Sequence, residues 1–145
     1  MRGLRYQNHT GRNDFAIAKA AYDDTHVFFF VQTLNRITPH TDPHWMLLFL
    51  DTDQSTKTGW LGYEYVINLE VLGDSETTIK TWRNGTWTTV GNARYRVNGN
   101  AMELAVSRQV MHFLPWEFRL VRFVLKARGR CRMLPLRPKP NAYQQ

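Results

Sequence analysis

The sequence has few of the cysteines that stabilise small folds through disulfide bonds or bind zinc. It contains one cysteine, Cys131, in 145 residues, which excludes an intramolecular disulfide framework and a cysteine-rich zinc site. Apolar runs are short, and none approaches the roughly 18 residues of a transmembrane helix. No apolar stretch follows the basic N-terminal residues, so we expect this chain to carry no secretory signal.

Motifs of the common catalytic chemistries are also missing. The sequence contains no nucleophile elbow, no phosphate-binding loop and no dinucleotide-binding glycine motif. The histidines form no HExxH zinc motif, and His40 and His44 flank a loop rather than one helix face. Two acids brought together by the fold would suffice for glycoside hydrolysis, yet nothing in the sequence nominates a pair. The residues and motifs therefore nominate no catalytic site.

Positive charge is concentrated at one end of the chain. The formal net charge is +7. Residues 1–118 contain 11 Lys and Arg against 12 Asp and Glu, whereas residues 119–145 contain eight Lys and Arg and no acid. We therefore expect a near-neutral domain at 1–118 and a basic C-terminal strand and tail at 119–145. The high net charge is weak support for nucleic-acid binding by the domain, and we expect neither a nucleic-acid nor a membrane partner.

Short apolar segments separated by turn residues predict an all-β fold. The Asn84-Gly85 pair between two such segments is the strongest hairpin signal, because both turn positions need positive φ. Turns at roughly 8–12-residue spacing are typical of an antiparallel sandwich or barrel. The segments with strand character are rich in β-branched and aromatic residues and lack a helical period; they are 15–20, 26–34, 45–50, 63–71, 76–83, 86–90, 93–97 and 102–106.

The loop at 51–62, which follows the predicted strand at 45–50, is rich in oxygen ligands. Asp51 and Asp53 are two residues apart, and Ser55 and Thr58 add hydroxyl or carbonyl oxygens. Glu64 is close enough in sequence to complete a set that suits a hard cation. An EF-hand is excluded, because the required loop glycine and glutamate are missing and the flanks are strands. A strand-loop-strand calcium site and a solvated polar turn without metal are the two interpretations.

Tryptophan is the other prominent residue type, with five in the chain. A flat indole can stack on the C–H face of a sugar ring while polar neighbours bond its hydroxyls. Core packing is the competing interpretation, and we expect it for Trp45, which falls in a buried strand pattern. The candidate carbohydrate-binding residues lie at a loop end and around the Asn-Gly hairpin; they are Trp60, Trp82, Arg83, Asn84 and Trp87.

Several motifs occur together in an order that resembles a known family. The most specific block contains Trp-Met-Leu-Leu-Phe-Leu-Asp-Thr-Asp at 45–53, Thr-Gly-Trp at 58–60 and Gly-Tyr-Glu-Tyr-Val-Ile-Asn at 62–68. Thr-Gly-Arg-Asn-Asp at 10–14 precedes it, and a hairpin pattern at 95–104 follows it. Together these motifs resemble the family 9 carbohydrate-binding-module-like domain of the DOMON-like β-sandwich group, over roughly residues 6–114.

The resemblance implies a jelly-roll-like β-sandwich that is not catalytic, contains structural calcium and binds a poly- or oligosaccharide through aromatic rings. Asp51 and Asp53 match the acidic calcium-loop positions, and Glu64 stands where the family has aspartate. It further implies a secreted or extracellular bacterial protein. The alternative is a structural or interaction domain of a larger secreted protein that has no sugar site.

The C-terminal segment departs from the family pattern after residue 118. There the chain reads as one more alternating strand at 118–126 and then an Arg- and Pro-rich tail. A change of reading frame near residue 118 is the competing interpretation. If strands of the family pattern are missing, an exposed edge strand would favour self-association. Haem binding, glycan cleavage and nucleic-acid binding by the tail are the remaining alternative functions.

Overall fold

A computed structural model describes residues 12–53, 55 and 57–111, together with the backbone of two short strands nearer the C-terminus. No helix in this described part is long and apolar enough to cross a membrane. The described residues form nine strands, in chain order: β1 Phe15–Tyr22, β2 His26–Thr33, β3 Leu47–Asp51, β4 Tyr65–Val71, β5 Glu76–Arg83, β6 Thr86–Asn98, β7 Ala101–Ser107, β8 Arg122–Lys126 and β9 Arg137–Pro138.

All nine strands belong to one sheet in the order β8-β3-β4-β5-β6-β7-β2-β1-β9. The seven central strands are antiparallel and curl into a half-barrel. At the two edges, β8 pairs antiparallel with β3, and β9 pairs parallel with the end of β1. The predicted all-β antiparallel fold is confirmed at this level. The remainder of the predicted tail at 119–145 and the N-terminal motif before Arg12 lie outside the described residues.

Two tight hairpins are confirmed where the sequence predicts them. Asn84 and Gly85 have φ of 50° and 78°, the type I′ pattern that matches the twist of β5 and β6. Gly99 has φ of 60° and begins the two-residue turn between β6 and β7, as in type II′. Because these turns are two residues long, they set the register of three consecutive strands.

Two strands predicted at 86–90 and 93–97 form the single strand β6. Ile79 lies opposite Gly91 while Lys80 lies opposite Thr89, which leaves Val90 as an extra residue. This is a β-bulge, which bends a strand without ending it. The glycine that interrupts the sequence pattern therefore marks a bulge rather than a turn.

Five consecutive β-formers at 27–31 predict a strand buried on both faces, and for β2 this prediction is wrong. Val27, Phe29 and Val31 are buried, whereas Phe28 and Phe30 are half-buried. The two sets alternate because successive side chains of a strand point to opposite faces, and only one face of β2 packs on the core. Five consecutive β-formers therefore identify the strand but do not settle how many of its faces are covered.

The segment predicted as a strand from Trp45 begins as a strand only at Leu47. His44 and Met46 have φ of 55° and 45°, so the chain turns there instead of extending. Trp45 is nevertheless 3% exposed, and its indole N–H donates to the Thr38 carbonyl at 2.7 Å. The prediction that Trp45 belongs to the core is confirmed.

The sheet buries apolar side chains on both of its faces. The concave face carries the main cluster, called here the inner core, which draws on all seven central strands and the turn at Trp45. The opposite face carries a smaller group, called here the outer aromatic cluster. Its members are Leu47, Phe49 and Val66 together with the half-buried Trp60, Tyr63 and Trp87.

Truncating an inner-core leucine should destabilise the protein strongly. Leu48 is 1% exposed, whereas Leu72 is 50% exposed. We expect Leu48→Ala to lower the free energy of unfolding by about 2–5 kcal/mol, because it loses burial and leaves a cavity. Leu72→Ala should change it by less than about 0.5 kcal/mol. Urea unfolding of both variants measures the difference, and equal losses would contradict the assignment of Leu48 to the core.

Candidate functional site

Glu64 is fixed by its main chain between two strands. Its N–H donates to the Leu50 carbonyl at 3.0 Å. Its carbonyl accepts from the Trp82 N–H at 3.0 Å and from the Thr81 hydroxyl at 2.9 Å. Asp51 directly follows Leu50 at the end of β3, so these bonds bring the two acids side by side although they are 13 positions apart.

Three carboxylates converge at this point. Side-chain oxygens of Asp51, Asp53 and Glu64 all lie within 4.8 Å of one another. Asp51 is buried, Glu64 is half-buried and Asp53 is exposed. We call these three residues the acidic triad. The structure thus brings together the three acids that the sequence nominates as metal ligands.

The hydroxyl of Thr58 lies at the centre of this group. Its Oγ1 is 2.6 Å from Asp53 Oδ2, 2.9 Å from Glu64 Oε1 and 3.2 Å from the Ser55 carbonyl oxygen. One hydroxyl has a single hydrogen to donate, so two of these three oxygens approach Thr58 without receiving its proton. The group has more acceptor oxygens than donors, and it includes all five residues predicted for a cation.

Other loop groups hold the carboxylates in place. Thr52 donates to Glu64 Oε2 through its N–H at 2.6 Å and its hydroxyl at 3.0 Å. The Ser55 N–H donates to Asp53 Oδ1 at 2.8 Å, which closes an Asx turn. Thr52 is a contributor that the sequence analysis missed, although its place between two predicted ligands is the signal that would have found it.

Gly59 closes the loop and sets the direction of Trp60. It has φ of 64°, and a Cβ at this position would lie 2.1 Å from the Tyr63 carbonyl oxygen. Trp60 and Tyr63 exchange two main-chain hydrogen bonds of 2.8 and 3.0 Å. Only glycine fits such a close approach of two backbone segments, which explains the glycine in the Thr-Gly-Trp motif.

The predicted sugar-binding tryptophans lie in the outer aromatic cluster. The Phe49 ring is 5.3 Å from Trp60, 5.6 Å from Tyr63 and 6.2 Å from Trp87, measured between ring centroids. Trp82 meets Trp87 edge to face at 5.2 Å across the hairpin. Sequence analysis missed Phe49 and Tyr63 as members of this group.

The acidic triad and the aromatic cluster share the outer face of the sheet. Phe49 and Asp51 are two residues apart on β3, so their side chains point to the same face. Val66 belongs to the outer aromatic cluster. Glu64 is two residues before Val66, so its side chain lies on the same face. The two features that the sequence analysis treated separately are therefore neighbours.

The other predicted sugar-binding residues lie apart from the tryptophan rings. Arg83 follows Trp82 and so points to the opposite face, where it lines a shallow pocket with Tyr65 and Val110. Burial raises the pKa of Tyr65, so its hydroxyl stays protonated at neutral pH and donates to the Met111 carbonyl. Asn84 is exposed at the tip of the hairpin. Its role there is to adopt positive φ.

Comparison of the chain with protein-family models, curated proteins and solved structures finds no match. The resemblance to the family 9 domain therefore stays a prediction that depends on the motifs within this chain.

Alanine substitutions at three glycines distinguish the cost of backbone strain from the cost of steric clash. Gly59 has positive φ and no room for a Cβ, Gly85 has positive φ and open space, and Gly73 has neither restriction. We expect Gly85→Ala to cost about 1–2 kcal/mol of stability and Gly59→Ala to cost more. Gly73→Ala should stay within about 0.5 kcal/mol of the parent. Denaturant unfolding checks this order, and a tolerated Gly59→Ala would contradict the loop geometry.

Proposed function

We propose that this chain is a non-catalytic carbohydrate-binding module in which a calcium ion, bound by the acidic triad, holds the loop that positions the sugar-binding rings. One observation carries the proposal. The residues predicted to bind calcium and the tryptophans predicted to bind sugar lie next to each other on the outer face of one sheet.

The donor set of the acidic triad favours a hard divalent cation. It consists of oxygen atoms alone, without histidine or cysteine, which is the chemistry that calcium selects. Two like unit charges about 4 Å apart repel by roughly 1–4 kcal/mol near a protein surface, and three carboxylates lie within 4.8 Å here. A bound cation would offset this repulsion. Asp51, Asp53 and Glu64 would hold it, with oxygens of Ser55 and Thr58 beside them.

Calcium bound there would act structurally. The loop that contains Asp53 and Thr58 continues through Gly59 into Trp60, whose ring stacks on Phe49 at 5.3 Å. Fixing the loop therefore fixes one of the rings that would contact sugar. The role of the ion in this proposal is to reduce the conformational freedom of the site before sugar binds, which lowers the entropic cost of binding.

The aromatic cluster supplies the surface for sugar. Trp60, Trp82 and Trp87 are each half-buried, so each ring is anchored by packing and still reaches solvent. Aromatic rings held in this way provide apolar area with little loss of side-chain entropy on binding. The ligand is a poly- or oligosaccharide, bound by stacking rather than cleaved.

The wider expectations from the sequence are part of the same proposal. We propose that the half-barrel belongs to a jelly-roll-like sandwich and that the protein is secreted or extracellular and bacterial. The edge of β3 is occupied by β8. Among the described residues, β9 pairs with Ala21 and Tyr22 of β1, and the rest of the β1 edge is the segment through which self-association would occur.

A second candidate is a structural or interaction domain with no sugar site. The observation in its favour is that the indole rings pack on one another, with Trp60 and Trp87 6.1 Å apart edge to face. Rings in such contact serve stability as well as ligand binding. Calcium-dependent stability without sugar binding is the outcome that would select this function.

Calcium should raise the thermal stability of the protein. A ligand that binds only the folded state at about 100 times its Kd adds about 2.7 kcal/mol, which for a domain of this size is roughly 5–10 °C in Tm. We expect Asp53→Asn to abolish the shift, because it removes one of the three charges while keeping an oxygen for the Ser55 N–H. Thermal unfolding in calcium and in chelator measures both effects.

The control for this experiment is Asp24→Asn, which removes the same charge from an exposed turn far from the triad. It should keep the full calcium shift. In chelator, Asp53→Asn should be at least as stable as the parent, because one like-charge repulsion is relieved. An equal calcium shift in the parent and in Asp53→Asn would refute the site.

Sugar binding should depend on the outer cluster and not on the core tryptophan. We expect Trp87→Ala to weaken binding of neutral gluco-, xylo- or manno-oligosaccharides by at least about tenfold, or 1.4 kcal/mol. The control Trp45→Phe changes a buried indole and should leave affinity unchanged. Titration calorimetry on folded variants, checked by circular dichroism, gives the affinities. Failure of the whole sugar panel to bind the calcium-loaded protein would support the interaction domain instead.

A further inference from the structure

A groove of about 580 Å³ lies across β1, β2, β7 and β6. Its floor is the outer face of β2, since Phe28 and Phe30 alternate with the inner-core residue Phe29. Phe28 lies between Ala21 of β1 and Ala105 of β7 in the register, and these small side chains leave the depression. We call it the Phe groove; the residues used here are Lys19, Phe28, Phe30, Arg94, Arg96 and Glu103.

The Phe groove is separate from the acidic triad. The triad lies at the β3 and β4 end of the sheet, and the groove begins at β6, with β5 between them. At about 4.8 Å between neighbouring strands, Arg96 and Lys19 stand roughly 14 Å apart on opposite walls. The inference below therefore does not rest on the proposed function of the aromatic cluster.

The walls of the Phe groove carry three cations that have no ion-pair partner among the described residues. Lys19, Arg94 and Arg96 are exposed, and none of them forms an ion pair with any residue in the described part of the chain. Arg96 lies opposite Glu103 in the register, yet the two side chains form no ion pair. Three cations against one carboxylate make the groove complementary to an anionic ligand.

The floor of the groove adds an apolar contact to this charge. Phe30 is half-buried and lies between Lys19 and Glu103 across the strands. An aromatic ring in a groove whose walls carry cations suits a ligand that has both an apolar face and anionic groups. Acidic sugars and single-stranded nucleic acids both have this character.

Glu103 distinguishes between these two ligand classes. It lies between Arg96 and Phe30 in the row that runs from Arg96 to Lys19. Its negative charge repels the anionic groups of both ligand classes, so hydrogen bonding rather than charge distinguishes them. The carboxylate is a good acceptor for hydroxyl groups, which sugar rings carry in abundance. The arrangement of cations, ring and hydroxyl acceptor therefore favours an acidic sugar chain.

We propose that the Phe groove binds an acidic oligosaccharide, a sugar chain that carries carboxylate or sulfate groups. Arg94, Arg96 and Lys19 bind the anionic groups, with each guanidinium able to form paired hydrogen bonds to a carboxylate or sulfate. A sugar ring stacks on Phe30, and Glu103 accepts hydrogen bonds from its hydroxyls.

The test is titration calorimetry of the full chain at physiological ionic strength with four probes. Hexagalacturonate and a heparin-derived hexasaccharide represent the two anionic groups, cellohexaose is the neutral comparison, and oligodeoxythymidylate is the nucleic-acid comparison. The titrations use Trp87→Ala, which removes the neutral-sugar site proposed for the aromatic cluster, and we expect one or both acidic sugars to bind at least about tenfold more tightly than the other two probes. Tighter binding of oligodeoxythymidylate, or no binding of either acidic sugar, would overturn the proposal.

Variants separate this site from general attraction to a basic protein. Arg94→Gln with Arg96→Gln should weaken acidic-sugar binding at least about tenfold. Arg36→Gln with Lys57→Gln removes the same charge from exposed positions elsewhere and should leave it within about twofold. Equal losses in the two double variants would refute the groove.

Further variants test the contribution of Phe30 to the Phe groove and the independence of the groove from the outer aromatic cluster. Phe30→Leu keeps an apolar side chain and removes the ring, and we expect it to weaken acidic-sugar binding by about threefold or more. Trp87→Ala should leave that binding unchanged, while the arginine double variant should keep its calcium-dependent Tm shift and its neutral-sugar binding. If the groove proposal is wrong, acidic-sugar binding will not depend on the arginines. If the proposal for the aromatic cluster is wrong, neutral-sugar binding will not depend on Trp87, so the two failures are distinguishable.

Discussion

The two-sided burial of β3 is the constraint on which the rest of the structure depends. Leu48 and Leu50 point into the inner core, whereas Leu47 and Phe49 point into the outer aromatic cluster. A slip of one residue would exchange the two sets and place leucine where the aromatic rings pack. The same alternation directs Asp51 to the outer face. Core, aromatic cluster and acidic triad therefore share one register.

The outer face is divided by charge along the order of the strands. At the β3 and β4 end, three carboxylates lie beside tryptophan rings. Across β6, β7, β2 and β1, three cations and one carboxylate surround phenylalanine rings. Opposite charges on separate parts of one sheet favour different ligands in different places. The near-neutral balance of residues 1–118 conceals this division, because the two parts cancel in the sum.

Features that depend on residues adjacent in sequence are predictable from the sequence. Features that depend on which face of the sheet a side chain points to are less predictable. The Asn84-Gly85 turn follows from the φ that its two positions require, and the nomination of Asp51 and Asp53 as candidate metal ligands follows from their place after a strand. Arg83 is predicted to bind sugar together with Trp82 because the two residues are adjacent in sequence. Adjacent residues of a strand face opposite ways, so the fold separates them.

The sequence by itself determined the antiparallel strands, the two tight hairpins and the acids that converge at one loop, because each depends on local conformational preference or on a short span of chain. Tertiary structure decided which face of β2 stays open, that Phe49 anchors the tryptophans, and that Lys19 and Arg96 stand across one groove. These features join residues from strands far apart in sequence. Their positions follow from sheet order and curvature, which local preference does not specify.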